Sequence, residues 1–212
     1  MPNFVRNVLY FEKQDMPEIL EGIKGWDKDI DFDKIIPVPD WLYYNCRGKM
    51  LEGLSVYRYL LGESLEECHH ARWLYELFHK KNESEKACFK RLSEDGTVNL
   101  RLGAKAYDSY MEHGELDLFQ WQMENWKCNE PVISAVEGNV LFFNTSWQAP
   151  IPVIEALADK YPDTNICYRW SDEDGETAGE ILFKKGKKSH EFKASSKMDK
   201  DLLYDECWRY KY

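Results

Sequence analysis

The chain has no long apolar run. None of its segments approaches the ~18 consecutive apolar residues that a membrane-spanning helix needs, so no membrane span is expected. The N-terminal MPNFVRNVLYFEKQD has no apolar core either, so no signal peptide is expected and a reducing cytoplasm is the default location. Positive charge is in short supply: 28 Lys and Arg stand against 38 Asp and Glu, for a net charge of −10 and a pI near 5.1. That balance disfavours nucleic-acid binding through generic phosphate contacts and favours basic partners. The six cysteines form no CxxC pair, and their irregular spacing gives neither a disulfide framework nor a zinc ribbon. Internal repeats and low-complexity linkers are missing as well.

What the chain does have is a legible stretch from Asn139 to Lys185. Val140-Leu141-Phe142-Phe143 suits a strand buried on both faces. Asn144-Thr145-Ser146 supply side chains suited to capping a helix, and Pro150 and Pro152 fit its first turn. Val153, Leu157 and Tyr161 share one helical face. Tyr161-Pro162-Asp163 ends that helix. Ile166, Tyr168 and Trp170 alternate with polar residues as in a half-buried strand. Asp172–Gly175 is an acidic turn that lacks EF-hand spacing, and Ile181-Leu182-Phe183 makes the next strand. The expectation is a β-α-β-β unit whose second strand returns beside the first, the core of a ferredoxin-like split βαβ plan.

The rest of the chain reads as follows. Asn3–Phe11 is a strand, Met16–Ile23 an amphipathic helix and Asp31–Pro37 a second extended run, together a further β-α-β unit. Asp40–Gly48 is an aromatic-rich loop with Trp41, Tyr43 and Tyr44. Helices follow over Leu51–Lys81, Asn82–Ser93 and Leu100–Trp126. The first breaks at Gly62-Glu63, where Ser64 and Glu67 form a capping box, and the last breaks near His113-Gly114. Leu65, Cys68, Trp73, Leu74, Leu77 and Phe78 are the expected apolar positions of the helix after Ser64. A basic turn at Lys184–Lys188 and a closing helix over Met198–Tyr212, with Leu202, Leu203, Cys207 and Tyr210 inward, complete the chain. The fold class is therefore α+β, with ferredoxin-like elements at both ends and a helical insertion between them. The expected segments are 1–40, 41–126 and 127–212, with the first either joining the sheet of the last or standing as a related half.

Four stretches carry a family resemblance. They are MPNFVRNVLYF, DFDKIIPVPDWL, LGAKAYDSYMEHG with WQMENWK, and FFNTSWQAP with ALADKYP. They resemble, in the same order, motifs of the YubB-like family of plasmid- and phage-borne proteins, which have a ferredoxin-like C-terminal domain. In Asn125-Trp126-Lys127-Cys128-Asn129 the family's turn is shortened by a glycine and one tryptophan, and residues 41–98 have no counterpart. The resemblance implies a ferredoxin-like fold and a mobile-element origin, and it carries over no catalytic residue.

Candidate chemistry is sparse. Cys68-His69-His70 is the only Cys/His cluster, and Glu66 and His70 sit at a helical spacing that can hold a metal. Without a second ligand pair, a solvated helix face with a buried Cys68 is the expected reading, so neither metal nor cofactor is assigned. Cys128 or Cys167 as nucleophile would need His113 or His190 as base, and nothing local links them. Tyr168, Trp170 and Phe183 beside Lys184, Lys185, Lys187 and Lys188 suggest base stacking on an open sheet, but without an RNA-recognition motif pattern. Trp126, Lys127, Asn144, Ser146 and Trp147 form the candidate binding site. Its bland counterpart is a buried tryptophan pair with Asn144 as a helix cap. The functional expectation is a non-enzymatic mobile-element protein that binds a host or defence protein. Single-stranded RNA binding through the sheet and an enzyme with an unrecognised site are the alternatives.

Overall fold

The computed structural model describes residues 3–42 and 47–211; Tyr43, Tyr44 and Cys46 of the expected aromatic loop, and the terminal Tyr212, lie outside the described residues. Met1–Pro39 with Gln122–Tyr212 form one compact unit, and Asp40–Trp121 form another. In chain order the elements are β1 (Phe4–Tyr10), α1 (Met16–Ile23), α2 (Arg47–Leu60), α3 (His69–Phe78), α4 (Glu85–Glu94), α5 (Leu100–His113) and α6 (Leu118–Asn125). They continue with β2 (Ser134–Glu137), β3 (Val140–Ser146), α7 (Ile151–Lys160), β4 (Ile166–Asp172), β5 (Ala178–Lys184), β6 (Lys187–Lys193) and α8 (Lys197–Trp208).

The first unit is a six-stranded antiparallel sheet in the order β2-β3-β1-β4-β5-β6. The β3-α7-β4 unit is split: β4 does not return beside β3, as expected, because β1 fills the gap between them. Val5 pairs with Thr145 on one side and with Asp172 on the other. The reason is in β1 itself, where Val5–Leu9 is buried without interruption, a pattern that only a central strand covered on both faces satisfies.

One sheet face carries Val5, Asn7 and Leu9 level with Leu141, Phe143, Tyr168 and Trp170. α7 lies on this face, tied to β6 by the Glu155–Lys188 ion pair at 2.9 Å. α1 is beside it, since a Cβ at Gly22 would meet the Tyr161 hydroxyl. Asn7 is fully buried but satisfied: its amide donates to Val5 O (3.0 Å) and Thr145 Oγ1 (2.9 Å), and it accepts from the Tyr168 hydroxyl (2.7 Å). The opposite face packs on α8 through Val8, Val140, Phe142 and Cys207. There Arg6 is buried, donates to Tyr210 O at 2.9 Å and lies 4.8 Å over the Trp208 ring. Leu202, expected to face inward, is exposed, because only Cys207 of α8 is fully buried.

The N-terminal β-α-β expectation gives one strand rather than two. Asp31–Pro37 folds into a 3₁₀ turn at Phe32–Lys34, because the Asp31 side chain accepts from Asp33 N (3.2 Å) and the Asp33 side chain from Val38 N (2.6 Å). Phe32 then points into the core, edge-on to Phe143 at 5.7 Å.

The second unit is helical. α2 and α5 cross with backbone against backbone at Gly53 and Gly103. A core of Val56, Cys68, Leu74, Phe89 and Leu92 sits among α2, α3 and α4. Ser64 and Glu67 do make the expected capping box, but it closes only one turn, and α3 starts at His69. Trp73, Leu77 and Phe78, expected as buried positions, are exposed, since α3 is covered on the Ala71–Leu74 side alone.

Candidate functional site

At one end of the sheet, two adjoining concavities of about 490 and 670 Å³ share Glu176, Ser195 and Lys200. The smaller has an apolar floor of Val5, Ile151, Trp147 and Trp170 with Lys193 and Lys200 at its rim, and the larger is lined by Glu173, Asp174, Glu176 and Asp201 beside Lys197 and Lys200. The sheet order explains the convergence. β1 starts here, β3 and β4 end here, and α7 and α8 both begin here.

Local hydrogen bonds fix the walls. Asp172 closes the β4–β5 turn, accepting from Glu176 N (2.8 Å), Thr177 N (3.1 Å) and Thr177 Oγ1 (2.9 Å). Glu173 N donates to Phe4 O at 2.8 Å and ties that turn to β1. After β3, Thr145 Oγ1 donates to Gln148 O (2.8 Å) and Trp147 N to Asn3 O (2.7 Å). These bonds hold Trp147 at φ +67°, in the left-handed region that a bulky side chain seldom adopts. Its indole remains 46% exposed. Trp170 opposite is stacked on Tyr168, with centroids 5.2 Å apart, and needs Gly179 beneath it: a Cβ there would lie 2.3 Å from the indole.

The five residues expected to form one site do not converge. Trp126 is a core side chain, its indole N–H donating to Ile36 O at 3.1 Å and its ring edge-on to Phe32 at 5.5 Å. Lys127 is exposed at φ +67°. Asn144 is opposite Arg6 on the α8 face of the sheet, within β3, so it caps no helix. The N-cap position of α7 is Pro150, and no side chain caps that helix. Ser146 is buried as the last residue of β3, and of the five only Trp147 lines the groove. Trp170 was legible as a strand residue but not as a groove wall, because nothing in the sequence shows that β1 and β3 end beside it.

Burial pushes the Cys167 thiol up to about 11 and the Cys207 thiol to about 12, and it raises Cys68, Cys88 and Cys128 too. Cys167 and His190 lie in one row across the sheet, but Leu182 separates them, which puts two strand spacings, about 10 Å, between base and thiol. His113 is stacked on Trp41 at 3.7 Å. Glu66 lies in the turn before α3, so its spacing to His70 is not helical, and the described residues contain no group of three metal-ligating side chains. The start of α7 offers no anion cradle either: Ile151 N and Val153 N donate to Ala149 O and Pro150 O, and Pro152 has no N–H. Tyr168, Trp170 and Phe183 are buried on the α7 side of the sheet, so they present no open stacking platform.

The model of the ferredoxin-like domain in Api92-like protein matches residues 106–201. The crystal structure of a protein api92 from Yersinia pseudotuberculosis matches with a TM-score of 0.42 at 8% identity, covering 92% of this chain and 99% of that one. No curated protein matches the chain.

Proposed function

We propose that this chain is a non-enzymatic binding protein of a mobile element, and that the sheet-end groove is where it grips a host or defence protein in the bacterial cytoplasm. One observation carries the reading. Trp147 holds a left-handed backbone conformation that costs about 1–2 kcal/mol for a residue with a Cβ, yet nearly half of its indole is left exposed to solvent. A side chain kept at a conformational cost beside a second tryptophan and two lysines is what a recognition surface needs, tryptophan being the commonest anchor of protein interfaces. The mobile-element setting rests on the motif resemblance, and the cytoplasmic setting on the buried free thiols. Among the described residues no helix is long and apolar enough to cross a membrane.

Trp147→Gly separates function from stability. Glycine suits φ +67°, so relief of the backbone strain offsets much of the burial lost with the indole, and the variant is expected to stay folded, within about 2 kcal/mol of the parent. The same variant is expected to lose the proteins that the parent captures from bacterial lysate. Capture that is the same for both forms, or no specific capture by the parent, would refute the proposal.

A further inference from the structure

The sheet ends at β6, and among the described residues no strand pairs with its outer edge. All seven residues of β6 are exposed. Ala194 N donates to Ala178 O at 3.0 Å, which fixes the phase of the ladder. With Lys193 opposite Gly179 and Glu191 opposite Ile181, the bonded pairs are 194/178 and 192/180. The N–H and C=O groups of Glu191 and Lys193 therefore point away from β5 into solvent.

This edge is also the exception to the chain's acidity. Lys184, Lys185 and Lys187 at the β5–β6 turn have no carboxylate within ion-pair distance among the described residues, and Lys193 lies at the other end of the strand. Lysines on an edge strand serve by themselves to prevent self-pairing. That role leaves unexplained an apolar shelf beside the edge. Phe192 (38% exposed) and Leu202 of α8 (59%) line a recess of about 250 Å³ on the face away from α7, with Arg169, Glu180, Asp199 and Glu206 as its polar wall, and Met198 is one helical turn before Leu202.

We propose that β6 is the acceptor edge for an extended acidic segment of another protein, which joins the sheet as a seventh strand. Its backbone pairs with Glu191 and Lys193, its carboxylates meet the lysines, and an apolar residue facing the α8 side rests on Phe192 and Leu202. A second copy of this chain complements the edge less well, because β6 itself carries three lysines and one glutamate. The inference does not rest on the groove reading.

The test uses a short fluorescent peptide of alternating Glu and Val, with a Lys–Val counterpart, against the full chain. The acidic peptide is expected to bind saturably in fluorescence anisotropy, more weakly as salt rises, and to slow hydrogen exchange at the Glu191 and Lys193 amides. Glu191→Pro removes an outward-facing donor without touching the ladder to β5. It also removes a negative charge, so simple electrostatics would make it bind better. Instead roughly tenfold weaker binding is expected, equivalent to about 1.4 kcal/mol for one ladder contact, with an unchanged circular dichroism spectrum. Should Glu191→Pro unfold, Lys193→Pro makes the same deletion, and the exchange measurement on the parent needs neither. Leu202→Glu is expected to weaken binding as well, and Trp147→Gly to leave it intact. No saturable binding, equal binding of the Lys–Val peptide, or unimpaired binding to the proline variant would overturn the proposal. So would protection of the β6 amides by raised protein concentration alone, which would make a second copy the occupant.

Discussion

Gly103→Ala is the sharpest test of the helical unit. In the α2–α5 crossing, a Cβ on Gly103 would lie 2.1 Å from Gly53 C, 2.3 Å from Gly53 O and 2.4 Å from Leu54 N. All three are backbone atoms, so no side chain can rotate away, and the helices must separate locally by more than 1 Å to restore ordinary contact. Overpacking of this kind costs about 1–3 kcal/mol, and more against a rigid backbone. The gain in helix propensity from glycine to alanine, about 1 kcal/mol, offsets only part of that. A net loss of about 2 kcal/mol is expected, a drop in midpoint on the order of 10 °C for a unit of this size. Thermal unfolding followed at the helical circular dichroism band would measure it. Gly48→Ala is the internal control: it sits in α2 with nothing within 4 Å of its Cβ position, so it should stabilise by up to about 1 kcal/mol. If the two substitutions act in the same direction, or Gly103→Ala is neutral, the close crossing is wrong.

Two further outcomes are expected. Gly179→Ala should push the Trp170 indole off its seat, destabilise the sheet unit by about 1–3 kcal/mol and shift the tryptophan fluorescence, whereas an unshifted spectrum would mean that the indole does not lie over Gly179. Glu83 is held down to about 2, first by its paired hydrogen bonds to Arg91 and then by that from Lys80 N, against an ordinary 4.5. Because the folded value is the lower one, the stability contributed by this pair is complete above pH 4.5 and is lost as pH falls towards 2. The acid limb of the stability profile should therefore be shallower in Glu83→Gln, and an identical limb would remove Glu83 from the account.

The sequence revealed elements better than it revealed neighbours. Ile166, Tyr168 and Trp170 announce β4 by alternation, and Pro150 and Pro152 place the start of α7 within a residue, because these signals are local. That β1 lies between β3 and β4 is not local at all, and Arg6 and Asn7 in its middle hide the continuous burial of a central strand. Asp31-Phe32-Asp33 looked extended, yet two aspartates spaced to accept from backbone N–H groups were a turn signal in plain view. Asn-Thr-Ser before a proline-initiated helix suggests a cap at Asn144, but pairing with β1 carries the strand through Ser146. Trp147 stands out in the sequence only as part of a family-like motif. Its left-handed backbone conformation leaves no trace in composition or periodicity.

The placement of β1 also sets an order of events for a nascent chain. β1 leaves the ribosome before its two pairing partners, at 140–146 and 166–172, which follow more than a hundred residues later. The helices between them make mostly local contacts and can close as soon as they emerge, whereas β1 must wait for strands still to be synthesised. The central strand of the sheet thus waits far longer for its partners than β4, β5 and β6 wait for one another. A slowly translated or truncated message would yield a folded helical unit beside an unpaired, strongly apolar N-terminal strand, the species most in need of a chaperone.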